Sequence, residues 1–190
     1  MIQLKLNQTR KGRVWLDETP PATFTGKETH ELEFTIKKTA NATCSKPHSA
    51  SIELLILVGS QPMYGFLGAT FYPDETQKFI IQVLVGDSEV SNIKEFIATP
   101  PEILQVGLSQ EYVSIILKRA AETYAEISPA LSGKLVFNCA AHGVFSSNPV
   151  IFGFLSQTVI HTINLLCKEV ASTEITKFIE SAINSKPLTN

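Results

Sequence analysis

Residues 52–73, IELLILVGSQPMYGFLGATFYP, decide the fold of this chain. The apolar run at 52–58 has the length and composition of a buried strand. Gly59-Ser60-Gln61-Pro62 has the residue types of a turn, and a second strand is predicted where the apolar run returns, at 64–72. Strands joined by so short a connection pair antiparallel. The sequence therefore predicts an antiparallel strand pair at the centre of the domain.

Further strands extend this pair on both sides. Residues 79–85 are apolar and are closed by Gly86-Asp87, which completes a β-meander. Upstream, residues 14–16 form a short apolar run, and residues 31–37 alternate with the period of a half-buried strand. We expect these N-terminal strands, within residues 1–50, to be joined to the main domain.

The first long helix follows the meander. Ser109 is a suitable N-cap, and apolar side chains then recur every three or four residues until Ser128-Pro129 ends the pattern. Before this helix, at 88–107, the spacing predicts only short helical turns, one around Phe96 and another beginning at Glu102.

A strand and two helices complete the chain. Residues 135–141 are apolar and predict the last strand. Asn148 and Pro149 are the residue types favoured at the N-cap and first position of the next helix. An amphipathic helix is predicted over Ser172 to Ser185. The order of elements predicts the α+β class: a β-meander, then helix, strand and helix, with extra N-terminal strands and a C-terminal helix.

Composition restricts the classes of function. The chain has 190 residues, 44% of them hydrophobic and 18% charged, which is typical of a globular domain. Its formal net charge of −2 argues against avid, sequence-blind binding of nucleic acid, which needs a basic surface. Basic residues group near the N-terminus and around Lys37-Lys38, and we interpret both groups as solvated surface charge rather than as a nucleic-acid-binding patch.

The cysteines and the apolar helix indicate a cytoplasmic protein with no membrane partner. Cys44, Cys139 and Cys167 form no Cys-x-x-Cys pair, so neither a zinc ribbon nor a redox motif is predicted, and a reducing compartment suits them. The N-terminus lacks the features of a signal peptide. Residues 148–167 carry no Lys, Arg, Asp or Glu, but they contain too many polar groups for lipid exposure, which predicts a helix buried against a sheet.

No pattern of residues indicates catalysis. The sequence has no phosphate-binding Gly-x-x-x-x-Gly-Lys-Ser/Thr loop and no Gly-x-Ser-x-Gly nucleophile motif around Ser146-Ser147. His30 and His48 have no partner at metal-ligand spacing, and His161 falls among apolar helix residues. We therefore predict a noncatalytic protein with no nucleotide, metal or other cofactor.

Four short motifs carry a resemblance to a known family. They are Tyr64-Gly65 with Tyr72-Pro73, then Gln110-Glu111-Tyr112, the link at residues 129–133, and His142 followed by Val144, Ser146 and Ser147. In this order and spacing they resemble domain IV of translation elongation factor G, over about residues 51–170. The resemblance implies a ribosomal protein S5 domain 2-like fold, with a mixed sheet backed by two helices. In that family the domain mimics a tRNA anticodon stem and reaches into the ribosomal decoding site.

The chain departs from the family at the positions that touch RNA. The family has a Gly- and Arg-rich loop before Tyr-Gly, whereas residues 58–63 here carry no positive charge. Phe145 and Asn148 stand where the family has an aspartate and a glutamate. Residues 87–108 are an insertion, and no GTPase accompanies the domain.

Two functions from different classes remain open, and an unrecognised enzyme is a third, because fold does not fix function. In the first, the chain is a noncatalytic module that contacts the ribosome or structured RNA through its loop tips. The resemblance then implies binding residues in two loops, namely Gly59, Ser60, Gln61, His142, Gly143 and Ser146. In the second, it is a protein-interaction or scaffolding domain that uses the Ser172–Ser185 helix or the 87–108 insertion. The charge of the tip discriminates between them, because a positive tip favours RNA and a neutral or apolar tip favours protein. Residues 171–190 form the C-terminal helix and tail in either case.

Overall fold

The computed structural model describes residues 1–35, 44–59, 61–76, 78–89, 95–127 and 131–185. Within these ranges the chain is an α+β domain with one eight-stranded sheet and three helices. The strands are β1 (Ile2–Gln3), β2 (Arg10–Leu16), β3 (Glu28–Thr35), β4 (His48–Val58), β5 (Gln61–Pro73), β6 (Lys78–Glu89), β7 (Leu104–Leu108) and β8 (Gly133–Gly143). The helices are α1 (Gln110–Glu126), α2 (Pro149–Cys167) and α3 (Ser172–Ser185).

The sheet has the order β1-β2-β4-β5-β8-β7-β6-β3 and is predominantly antiparallel. The predicted central pair is confirmed, since β4 and β5 pair antiparallel from His48↔Phe71 to Val58↔Gln61. β8 lies beside β5 and also pairs in parallel with β6, over Phe79↔Gly133 to Val83↔Phe137. The N-terminal strands belong to this same sheet, because β1 and β2 form one edge and β3 forms the other.

The main core lies between the sheet and the helices. α2 packs on β4 and β5, α1 packs on β6, and the two helices pack on each other. α2 is long and apolar enough to cross a membrane by length and composition, but 67% of its apolar window is buried inside the protein. The predicted start of this helix is confirmed, because the Asn148 side chain accepts hydrogen bonds from the backbone N–H groups of Val150 and Ile151. α2 is a core helix, and α3 covers part of its outer side.

A second, smaller apolar layer covers the opposite face of the sheet. Trp15 stacks on Phe66 with ring centroids 5.0 Å apart, and Phe96 meets Phe66 edge-on. Residues 22–24 lie against β8, where the backbone N–H of Ala140 donates to the carbonyl of Ala22. The N-terminal segment and part of the insertion therefore cover the sheet face that the helices leave open.

Two predictions for the inserted segment are wrong. β6 does not end at Gly86-Asp87 but continues to Glu89, and residues 104–108 form strand β7 rather than a helix. β7 pairs with β6 on one side and with β8 on the other, which local periodicity cannot reveal. The close approach needs glycine, because a Cβ on Gly107, whose φ is +113°, would lie 1.9 Å from the carbonyl oxygen of Gly86.

Candidate functional site

The two segments predicted to form loop tips lie together at one end of the sheet. The backbone N–H of Tyr64 donates to the carbonyl of Ser146 at 3.0 Å. The Ser147 hydroxyl donates to the carbonyl of Tyr64 at 2.7 Å and accepts from the backbone N–H of Gly143 at 2.8 Å. We call this end, formed by the described residues 57–59, 61–64, 102–104 and 143–150, the tip.

The β4–β5 hairpin contributes the furthest point of the tip. Gly59 lies at its turn with a φ of +62°, and a Cβ there would meet no atom within 4 Å. Gln61 is exposed but, like Pro62, is paired within the hairpin rather than free in a turn. Ser60 lies outside the described residues. Beyond the Leu55↔Tyr64 pair the hairpin continues for three more residue pairs, which corresponds to about 10 Å of extended chain.

His142 and Gly143 are not in a loop, contrary to the prediction. They are the last two residues of β8 and pair with Gln105 and Leu104 of β7. His142 is only 4% exposed. Its Nδ1 lies 3.2 Å from the carbonyl oxygen of Gly107, and its ring meets the edge of Tyr112. These contacts give the imidazole local partners within the fold.

Ser146 is also buried. Its hydroxyl oxygen has no hydrogen-bond partner in the described part of the chain. The side chains of His142 and Ser146 therefore do not line the outer surface of the tip, although the backbone of residues 142–147 shapes it. Their role in RNA binding stays a prediction.

The outer surface of the tip is apolar. Of the eight large hydrophobic side chains that are exposed in the described ranges, five lie here: Leu57, Ile103, Val144, Phe145 and Val150. Phe145 is the most exposed of them, at 72%. The residues of the tip include no lysine or arginine. Its one charged residue, Glu102, accepts hydrogen bonds from the backbone N–H groups of Ile103 and Phe145 and so holds the two loops together.

An ion pair with a buried carboxylate contacts the tip through Tyr64. Glu53 of β4 is completely buried and accepts hydrogen bonds from the Tyr64 hydroxyl at 2.9 Å, the Ile97 backbone N–H at 2.8 Å and the Arg13 Nε at 2.8 Å. Arg13 also donates to the carbonyl of Glu95. Burial raises the pKa of Glu53 above its usual value and raises that of Tyr64 well above its usual value.

This network ties the segment around Ile97 to the sheet, and its carboxylate is closed to solvent, so we interpret its role as structural. Sequence reasoning missed it, although a glutamate inside the apolar run 52–58 was a signal of a buried, paired carboxylate.

A third group of side chains lies at the opposite end of β4. Potential ligand atoms of Cys44, His48 and Cys167 all lie within 4.8 Å of one another. The prediction that His48 has no partner for a metal site is therefore wrong. Cys44 and His48 are four residues apart, but Cys167 lies far away in sequence, so the complete group could not be found from spacing.

Comparisons with known proteins return no relative: no protein-family model, no curated protein and no solved structure matches this chain.

Proposed function

We propose that this chain is a noncatalytic binding module, similar to domain IV of elongation factor G, that binds a partner protein through the tip. The proposed S5 domain 2-like fold is supported by the order of elements from β4 to α2, by the mixed pairing of β8 with β5 and β6, and by the packing of α1 and α2 on one face.

One observation carries the choice of a protein partner, namely the exposed apolar surface of the tip. Exposed large hydrophobic side chains elsewhere in the described ranges are scattered, at Met1, Leu32 and Tyr72. Concentration of five at one end is typical of a surface that another protein covers. Phe145 is the natural anchor, because aromatic side chains bury much apolar area at little cost in conformational entropy.

The tip suits a protein better than RNA. Neutralisation of phosphate charge requires lysine or arginine, and the tip residues include neither. Arg10 lies nearby on β2, opposite Ile56, but it is not part of the tip. One arrangement favours RNA: the two segments that resemble the RNA-contacting loops of the family meet at one end of the sheet. The test described below therefore includes ribosome binding as one of its outcomes.

The other predicted protein-binding surface, the apolar face of α3, is already covered by other parts of the domain. Its stripe of Ile175, Ile179 and Ile183 is fully buried. Glu180 and Asn184 on the same helix accept hydrogen bonds from the backbone N–H groups of Lys5 and Asn7. The apolar face of α3 therefore holds the N-terminal segment and α2 rather than a partner. A cytoplasmic location agrees with the three cysteines, which are all free thiols.

The test is site-specific photo-crosslinking. A photoreactive phenylalanine analogue replaces Phe145, and a second chain carries it at Leu32, an exposed position on β3 away from the tip. After irradiation in the native cells, we expect a protein adduct from position 145 that is absent from position 32. In purified components, Phe145→Asp should weaken binding of that protein at least about tenfold, whereas Leu32→Asp should not.

Ribosome co-sedimentation at low and moderate salt, with the wild-type chain and Phe145→Asp, separates the two partner classes. An RNA adduct at position 145, together with salt-sensitive pelleting that Phe145→Asp retains, would replace the protein hypothesis with the ribosomal one. The absence of any adduct at position 145 would reject the tip as a binding surface.

A further inference from the structure

The end of the domain opposite the tip brings together two thiols and an imidazole. Cys44 precedes β4, His48 is the first residue of β4, and Cys167 is the last residue of α2. His48 is buried, while Cys44 and Cys167 are partly accessible. β4 separates this group from the tip by about 33 Å, at 3.3 Å per residue, so the two sites are independent.

The spacing of the three side chains is close to that of a zinc site. With Zn–S bonds of about 2.3 Å and Zn–N bonds of about 2.0 Å, tetrahedral geometry places two ligand atoms about 3.5–3.8 Å apart. The ligand atoms of Cys44, His48 and Cys167 lie within 4.8 Å of one another. A movement of about 1 Å, well within the range of side-chain torsions, would bring them to coordination distance.

A carboxylate orients the histidine. The Nδ1 atom of His48 lies 2.8 Å from Oδ2 of Asp17. Oδ1 of Asp17 accepts from the backbone N–H of Ser49, and the backbone N–H of Asp17 donates to the carbonyl of Ser49. These bonds fix Asp17 at the end of the β2–β4 ladder. Because Asp17 contacts Nδ1 of His48, Nε2 is the ring nitrogen that could bind a metal. Metal-bound histidines commonly have such a carboxylate on the second ring nitrogen.

We propose that Cys44, His48 and Cys167 bind one Zn²⁺ ion, with Asp17 as the positioning residue for His48. Two thiolates and an imidazole are the ligand types that Zn²⁺ prefers, and the two thiolate charges balance the charge of the ion. Three protein ligands leave one coordination position for water. The bound ion joins the segment before β4 to the end of α2, so it stabilises the folded chain.

The first experiment uses the wild-type chain, reduced and freed of metal. Zn²⁺ is titrated in competition with a chromophoric chelator, and we expect one equivalent to bind per chain. Co²⁺ in its place should give a thiolate-to-cobalt charge-transfer band. Bound Zn²⁺ should protect Cys44 and Cys167 from alkylation, a readout that requires no substitution.

Variants then test the ligands. Cys44→Ser, His48→Ala and Cys167→Ser should each abolish stoichiometric binding, and Asp17→Ala should weaken it about 10- to 100-fold. Cys139→Ala and His161→Ala are matched controls, because neither residue belongs to the group of ligands, and they should bind as the wild type does. Circular dichroism of each apo variant confirms that it is folded.

Three results would overturn the proposal. The first is the absence of Zn²⁺ binding at micromolar concentrations by the reduced wild-type chain. The second is undiminished binding by the ligand variants. The third is rapid formation of a Cys44–Cys167 disulfide in a chain whose thiols Zn²⁺ does not protect, which would identify the two cysteines as a redox pair instead.

Discussion

At the scale of single residues, the fully buried carboxylate of Glu53 is paired with the partly buried guanidinium of Arg13. Replacing Arg13 by methionine leaves the Glu53 carboxylate without its cation, and we expect the free energy of unfolding to fall by about 3–5 kcal/mol near neutral pH. Part of the loss comes from the contact of the guanidinium with the Trp15 ring, 5.4 Å from its centroid. Urea denaturation measures the change.

The loss should depend on pH in a defined direction. The pKa of Glu53 is raised in the folded chain, mainly by burial, so its contribution to stability is full below its ordinary pKa and is lost as the pH rises through the folded value. Without Arg13 the folded pKa rises further, so Arg13→Met should be less destabilising at about pH 5 than at about pH 8. Tyr64 and Cys139 also interact with Glu53, and neither titrates in this range, because burial raises both of their pKa values, that of Cys139 to about 12.

Two controls make this prediction specific. Lys78→Met breaks an exposed ion pair with Glu33 and should cost about 0–1 kcal/mol at either pH. The double variant Arg13→Met/Glu53→Gln has no carboxylate to titrate at this position and should lose the extra pH dependence. Equal destabilisation by Arg13→Met at both pH values would contradict the raised pKa of Glu53.

At the scale of secondary structure, the helices α1 and α2 differ at the N-cap, the residue that precedes each helix. The Asn148 side chain accepts two backbone hydrogen bonds at the start of α2, at 3.0 and 3.2 Å. Ser109 occupies the same position in α1, but its side chain makes no capping hydrogen bond. Asn148→Ala should therefore reduce the free energy of unfolding by about 1 kcal/mol, and Ser109→Ala should leave it almost unchanged. Urea denaturation of both variants, at unchanged slope, measures the difference, and equal losses would disprove the capping role of Asn148.

The helices also show which features can be predicted from sequence. The start of α2 and both ends of α3 were correct, because capping residues and amphipathic spacing act within a few residues of the chain. The strand β7 was missed because its pairing partners are not adjacent to it in sequence: residues 90–103 separate it from β6, and α1 separates it from β8. His142 was placed in a loop for the same reason, since pairing with β7 extends β8 past the predicted end.

The same contrast, between features set by nearby residues and features set by distant contacts, holds for the candidate sites. The tip could be located from family-like motifs, and the lack of positive charge there could be read directly from the residues. The exposure of Phe145 could not be read in this way, nor could the closeness of Cys44 to Cys167, because both depend on how distant segments pack.

At the scale of the whole molecule, the N-terminal segment forms the strands at both edges of the sheet and covers one of the sheet's faces. β2 pairs with β4 along seven positions, and β3 pairs with β6 along eight. Leu4, Val14 and Trp15 are buried, and each contributes about 1.5–3 kcal/mol to stability. Their sum is of the same order as the total stability of a domain, about 5–15 kcal/mol. The family-like region of residues 51–170 therefore depends on the strands that precede it.

Deletion of residues 1–46 should consequently leave a chain that does not fold cooperatively. It would expose the edge of β4 and the apolar side chains that Trp15 covers, so we expect aggregation as well as loss of structure. Size-exclusion chromatography and urea denaturation measure both effects. Deletion of β1 alone, residues 2–3, is the control and should leave the domain folded, because β1 makes only two residue pairs with β2. A monomeric truncated chain with a cooperative unfolding transition would show instead that the core folds independently and that the N-terminal strands are an accessory layer.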